Sequence, residues 1–428
     1  MNEELLQYIW QYKYLLNQKL FTTHGENIQV ILPGQLNNDS GPDFFNARIQ
    51  LGETLWAGNI EIHIKGSDWK KHQHQSDPAY DNVILHVVLE HDEPVFNKHN
   101  QEIPTLELKN LLPEKLISKY LFLKRSRSEI PCEKIFELPQ SFAIENWMER
   151  LSIERLENKC VFINELLKET NHHWEQVFYR TLARYFGQKI NELPFELLAR
   201  ELPLLVLERN KDNLLQTQAL ILGISGLLEE PLNDDYLSVL KSEFKVLKNK
   251  YKLRSLDKSL WKFGKTRPAN FPPIRLLQFA QLVHQSDHLL SKLLDAPTLE
   301  EAEQLFSVQS NQLINTFALH SKNKGFKLSG FQTGKYFINL ILINVAVPVL
   351  FAYGKWKQEE TYCVKALGWL NRLKPEKNNI TKRWEKLGIK TTGAKQTQAL
   401  IALNNYYCKK QQCLRCAFGN HILIKNNG

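Results

Sequence analysis

From Leu112 onward the dominant hydrophobic period of this chain changes from about two residues to about 3.6. Before that point apolar and polar residues alternate, as on strands with one face covered. After it the apolar residues recur at helical spacing. A sheet followed by helices, rather than strands and helices in regular alternation, defines an α+β chain. The pattern predicts a helix over Glu3–Leu20 and strands at Asn27–Leu32, Phe44–Leu51, Leu55–Lys65, Val83–Glu90 and Ile103–Leu108. A short helix after Ser67, a good N-cap residue, separates the third and fourth of these strands, and the core order is α-β-β-β-α-β. At 428 residues the chain exceeds what one hydrophobic core holds. We divide it into a domain over residues 1–118 and a mainly helical domain over 119–428. The longest helical stripe is Asn146–Glu169, with Trp147, Leu151, Leu156 and Val161 toward a core.

Apolar residues make up 43% of the chain and aromatic residues 11%, enough to build these cores and to exclude a disordered polymer. The amphipathic start, MNEELLQYIWQYKYLL, lacks the basic head and uninterrupted apolar middle of a secretory leader. The longest apolar run, Phe337–Phe351, contains Asn339, Asn344 and Pro348 and reads as a buried helix broken at the proline. These features predict a cytoplasmic protein without a membrane span. The six cysteines are then no disulfide framework. A net charge of +9 suits a polyanionic partner such as DNA or RNA. No G-x-x-x-x-G-K-[ST] loop is present, which sets nucleotide-driven chemistry aside.

Between Gly41 and His86 the chain packs four Asp, two Glu and four His into 46 residues. In NIEIHIKG, strand alternation puts Glu61, His63 and Lys65 on one face and Ile60, Ile62 and Ile64 on the other. Asp43, at the head of the preceding strand, can join them. Asp43, Glu61 and His63 form a candidate metal-ligand set, and Asp43, Glu61 and Lys65 a candidate catalytic set. Phosphodiester hydrolysis needs a divalent cation to activate water and a positive charge near the developing anion. An imidazole among the ligands favours Mn²⁺ over Mg²⁺. A different set also remains open, with Zn²⁺ held by His63, His72, His74 or His86 and Asp77.

The element order, Pro42-Asp43 opening the second strand and the E-x-H-x-K of the third strand resemble the PD-(D/E)xK nuclease-like superfamily, of restriction-endonuclease-like fold. His63 stands where that superfamily carries an acidic residue, and Glu61 lies two positions upstream. The resemblance implies a metal-dependent nuclease acting on DNA or RNA. The displaced acid leaves open the alternative of a catalytically inactive binding or structural relative. Through GPDF, IEIHIKGSDW, DPAYDNVILHVV and the late cysteines, nearly the whole chain also resembles an uncharacterised bacterial domain-of-unknown-function family of the DUF2851 type, which implies no activity.

Cys408-x4-Cys413-x2-Cys416 places three thiols in one segment beside Lys409, Lys410 and Arg415, whose charges would favour thiolates. With Cys132, or with His421, they would complete a zinc or iron–sulfur site. A one-plus-three arrangement of this kind resembles the staple of iron–sulfur nucleases. Around Trp261, Lys262, Lys265, Arg267 and Arg275, aromatics interleave with cations as on a nucleic-acid surface or in an anchored loop.

Overall fold

The segment VILHVVLE is apolar nearly throughout, and such a strand needs cover on both faces. In the computed structural model, which describes residues 1–15, 18–229, 235–264, 270–313 and 329–425, it is the inner strand of a mixed sheet. The strands are β1 (Leu20–Phe21), β2 (Asn27–Leu32), β3 (Gln35–Leu36), β4 (Phe44–Leu51), β5 (Thr54–Lys65), β6 (Val83–Glu90) and β7 (Thr105–Glu107). Their order is β1-β2-β4-β5-β6-β7, with β3 on β4. The pairs from β1 to β5 are antiparallel, whereas β5–β6 and β6–β7 are parallel.

Two glycines make the β4–β5–β6 core possible. Gly52 takes a left-handed backbone (φ +55°) in the turn between β4 and β5. A Cβ on Gly58 would stand 2.4 Å from Ile84 Cγ2 and 2.6 Å from the Asn82 carbonyl oxygen, so only glycine lets β6 begin its pairing there. Parallel neighbours require a long crossover. Here it contains the short helix α2 (Asp68–Lys71) and two single 3₁₀ turns, His74–Ser76 and Pro78–Tyr80. This crossover carries His72 and His74.

Helix α1 (Glu3–Gln11) is shorter than its periodicity suggests. Asn2 Oδ1 caps it by accepting from the Leu5 amide, and Leu5, Leu6 and Ile9 are fully buried. By its contacts the chain divides into Met1–Gln140 with Asn404–Gly428, and Ser141–Leu403, where the sequence suggested a junction near residue 118. The returning segment is fastened within the first unit. Lys119 Nζ donates to the Ile422 carbonyl (2.9 Å) and Gln411 Nε2 to that of Ser126 (3.2 Å). Ser126 follows helix α3 (Glu114–Arg125).

The second unit is mainly helical, opening on α4 (Ser141–Glu169). Trp147, Leu151 and Leu156 of α4 are buried as expected, but Val161 is 56% exposed. The stripe runs instead through Cys160, Ile163 and Leu167, and Val161 lies off it. The apolar run does not break at Pro348. An α-helix over Lys335–Ile341 passes through a π-turn, Leu342–Ala346, into a second over Val347–Lys357. Proline sits in the first turn of the latter, where its missing N–H costs least. The stretch Lys335–Lys357 has the length and hydropathy to cross a membrane, and 89% of its apolar window is buried within the protein.

Candidate metal centre

Register assembles the site. Glu61 of β5 pairs directly with His86 of the parallel strand β6, so the two share a face with His63. All three are buried, at 5%, 0% and 2% exposure for Glu61, His86 and His63. His72 caps the end of α2, and Gln73 behind it adopts a left-handed backbone (φ 62°), which turns the chain into the 3₁₀ turn that starts at His74. His63, His72 and His74 each present a ring nitrogen within 4.8 Å of the other two.

The individual distances match a metal's requirements. His63 Nε2 lies 3.2 Å from His72 Nδ1 and 3.4 Å from Glu61 Oε1, and His74 Nε2 lies 3.5 Å from the same oxygen. Ligands about 2.0–2.1 Å from a tetrahedral ion stand about 3.4 Å apart. His74 Nε2 is buried and has no hydrogen-bond partner. On its other side His63 Nδ1 meets His86 Nε2 at 2.8 Å, the contact that fixes a ligand's tautomer and ring plane. Tyr80 stacks on His74 at 3.8 Å, and Trp69, whose indole donates to the Phe96 carbonyl, packs against both His74 and His86.

Electrostatics follow from burial of like groups. Burial, and then neighbouring imidazoles, push His63 down to about 3 and His74 to about 4, and hold His86 well below its usual range. These rings are neutral at pH 7, with lone pairs available. Burial also raises Glu61, which Asp43 raises further, and burial raises Asp43. Tyr80 is pushed up to about 12, chiefly by burial and then by Glu61 and Asp43.

Asp43 stands behind Glu61. Its amide donates to Glu61 Oε2 (3.0 Å), while its own oxygens accept from Gln7 Nε2 (2.8 Å) and the Ile62 amide (3.0 Å). Glu3, one helical turn before Gln7 on α1, acts electrostatically on Asp43 and Glu61 and is itself influenced by His72. Lys65 is exposed at the end of β5, and its charge bears on Asp92. Asp77 caps the turn at Pro78 by accepting from the Ala79 amide. Glu3 and Gln7 escaped the sequence reading. Their i,i+4 spacing puts them on one face of α1, but nothing in the spacing tells which strand that face meets.

The cysteines do not form the expected cluster. Cys132, Cys408, Cys413 and Cys416 are buried in the same unit, and Cys416, Cys132 and Cys413 all act on Cys408. Yet among the described residues no three sulfurs come within 4.8 Å of one another. Burial decides their chemistry. It pushes Cys132 and Cys416 up to about 12 and Cys413 to about 11, so these are thiols, and the basic neighbours do not make them thiolates. His421 has no hydrogen-bond partner at its buried Nε2 and is likewise outside any metal-sized group.

In the aromatic-cationic segment the described residues divide: Lys262 is exposed, whereas Trp261 and Arg275 are buried. Trp261 is 4% exposed and donates to the Ser225 carbonyl, while Arg275 is buried over the Phe337 ring. Lys265 and Arg267 lie outside the described residues.

Residues 3–379 match the family model described as "Protein of unknown function (DUF2851)", and the chain belongs to that family. The matched span contains the whole sheet and every histidine of the centre, and ends before Cys408. No curated protein and no solved structure matches the chain.

Proposed function

We propose that the sheet unit is a divalent-metal centre that hydrolyses phosphodiester bonds of DNA or RNA, in the manner of the nuclease-like superfamily its sequence resembles. The observation that carries this reading is the convergence of three imidazoles with Glu61 Oε1 at 3.4 and 3.5 Å from two of them. His63, His72 and His74 would hold the ion, with Glu61 completing the set. Nitrogen ligands favour Zn²⁺ or Mn²⁺ over Mg²⁺, which prefers oxygen. Such an ion lowers the pKa of water and neutralises a phosphoryl oxygen. Asp43, held by Gln7 and the Ile62 amide, orients Glu61, and His86 orients His63. Lys65 offers its ammonium to the incoming anion. A cytoplasmic location accords with the burial of the long apolar helix within its own unit.

The test is metal analysis of the purified chain, followed by cleavage of labelled single- and double-stranded DNA and RNA with Mn²⁺, Zn²⁺ or Mg²⁺. Metal-dependent cleavage lost in His63→Ala supports the reading. Metal bound without cleavage of any substrate supports the second reading, an inactive relative, which His63 in the place of the superfamily's acidic residue favours. A chain that takes up no metal refutes both the centre and its chemistry.

A further inference from the structure

A hollow of ≈ 750 Å³ opens at the end of α3, within the sheet unit, and none of the candidate metal ligands lines it. Arg125, Arg127 and Lys134 contribute three cations, Ser126 and Ser128 contribute hydroxyls, and Phe122, 41% exposed, stands at its side. No carboxylate lines the hollow, and none pairs with the three cations among the described residues. Unpaired positive charge around a polar concavity attracts an anion of matching extent.

The simplest alternative is that these cations offset the negative end of the α3 dipole. That accounts for Arg125, in the last helical turn. It does not account for Lys134, which comes from a separate 3₁₀ turn (Glu133–Ile135), and Arg127 lies beyond the cap residue Ser126. Nor does it explain an aromatic ring left in water beside them.

We propose that this hollow seats the backbone of a single-stranded nucleic acid, with Arg125, Arg127 and Lys134 on successive phosphates and a base stacked on Phe122. A hollow this open fits a chain better than a free ion. Guanidinium forks match phosphate oxygens, and base–aromatic stacking tolerates any sequence. The inference rests on the reading that the partner is nucleic acid, but not on catalysis.

The experiment is fluorescence anisotropy of a labelled 20-nucleotide single strand, as DNA and as RNA, in EDTA at 50–200 mM salt. Each phosphate contact on a single strand contributes about 0.7 to the slope of log K against log salt. The variant R125Q/R127Q/K134Q should bind at least about tenfold more weakly at 50 mM salt and lower that slope by about 2. Arg127→Gln alone should lower it by about 0.7, which keeps the test informative if the triple variant misfolds. Phe122→Ala should weaken binding without changing the slope. Wild-type slope in the triple variant, no binding by wild type, or displacement by inorganic phosphate at equal ionic strength would each overturn the proposal. Cleavage with added metal decides the catalytic reading separately.

Discussion

Both units bury ionisable side chains, and they do so in opposite ways. In the helical unit three cationic side chains, among the described residues, meet unlike partners. Lys159 donates to Asn344 Oδ1 (2.8 Å), Arg180 pairs with Glu169 (2.8 Å), and Arg275 donates to Gln278 (2.8 Å) while lying 3.4 Å over the Phe337 ring. In the sheet unit like meets like: imidazole against imidazole, and Glu61 against Asp43. Complementary burial holds a fold together, because each polar group recovers a partner for the water it loses. Burial of like groups costs stability unless a ligand completes them, and so points to a site.

The comparison can be broken most directly at His63. His63→Ala removes one ligand and should weaken metal binding by more than about 100-fold, since even outer partners are worth about 10–100-fold. Isothermal titration with Zn²⁺ and Mn²⁺ measures it. Lys159→Met, in the other unit, should leave that affinity unchanged, and a loss there would erase the distinction. His86→Phe keeps an aromatic ring but removes the nitrogen that holds His63, and should lower affinity by about 10–100-fold.

A finer test uses pH on metal-free protein. Glu61 has its folded pKa raised above the ordinary 4.5, so the folded state holds a proton the unfolded chain releases. Its contribution to stability is complete below about pH 4.5 and is lost as pH rises through the raised value, by about 1.4 kcal/mol per pH unit while only the unfolded state has ionised. Lys159 has its folded pKa lowered well below 10.5, by burial foremost, and its slope has the opposite sign. Its contribution is complete above pH 10.5 and is lost as pH falls. Hydrogen exchange should therefore show β5 and β6 loosening toward alkaline pH and α4 tightening. Glu61→Gln should flatten the first trend and Lys159→Met the second. The smallest effect expected is from Asn2→Ala, which removes the α1 cap and should cost about 1 kcal/mol of sheet-unit stability by thermal melting.

Much of the sheet was legible because strand periodicity is local. The alternation in NIEIHIKG put Glu61 and His63 on one face, and Val83–Glu90 read as a strand. The rest of the centre depends on long-range geometry. His72 comes to His63 through a four-residue helix, and His74 to Glu61 only past a left-handed Gln73, a conformation that no spacing rule assigns to glutamine. Gln7 meets Asp43 across 36 positions of sequence. For the cysteines, spacing gave proximity along the chain but not depth, and depth sets their protonation. The same blindness to depth let Arg275 be grouped with surface cations, whereas Trp261 is buried as the anchor of a loop would be.

The return of Asn404–Gly428 to the first unit has a consequence for how the protein is made. A ribosome emits Met1–Gln140 early but withholds its last segment until the entire helical unit has been synthesised. At roughly 5–20 residues per second that interval is roughly 10–50 s. During it Lys119 lacks the Ile422 carbonyl and Ser126 lacks Gln411. Ser141–Leu403, continuous in sequence, is complete on emergence, so the unit carrying the histidines of the site is the last to close although it begins before the other.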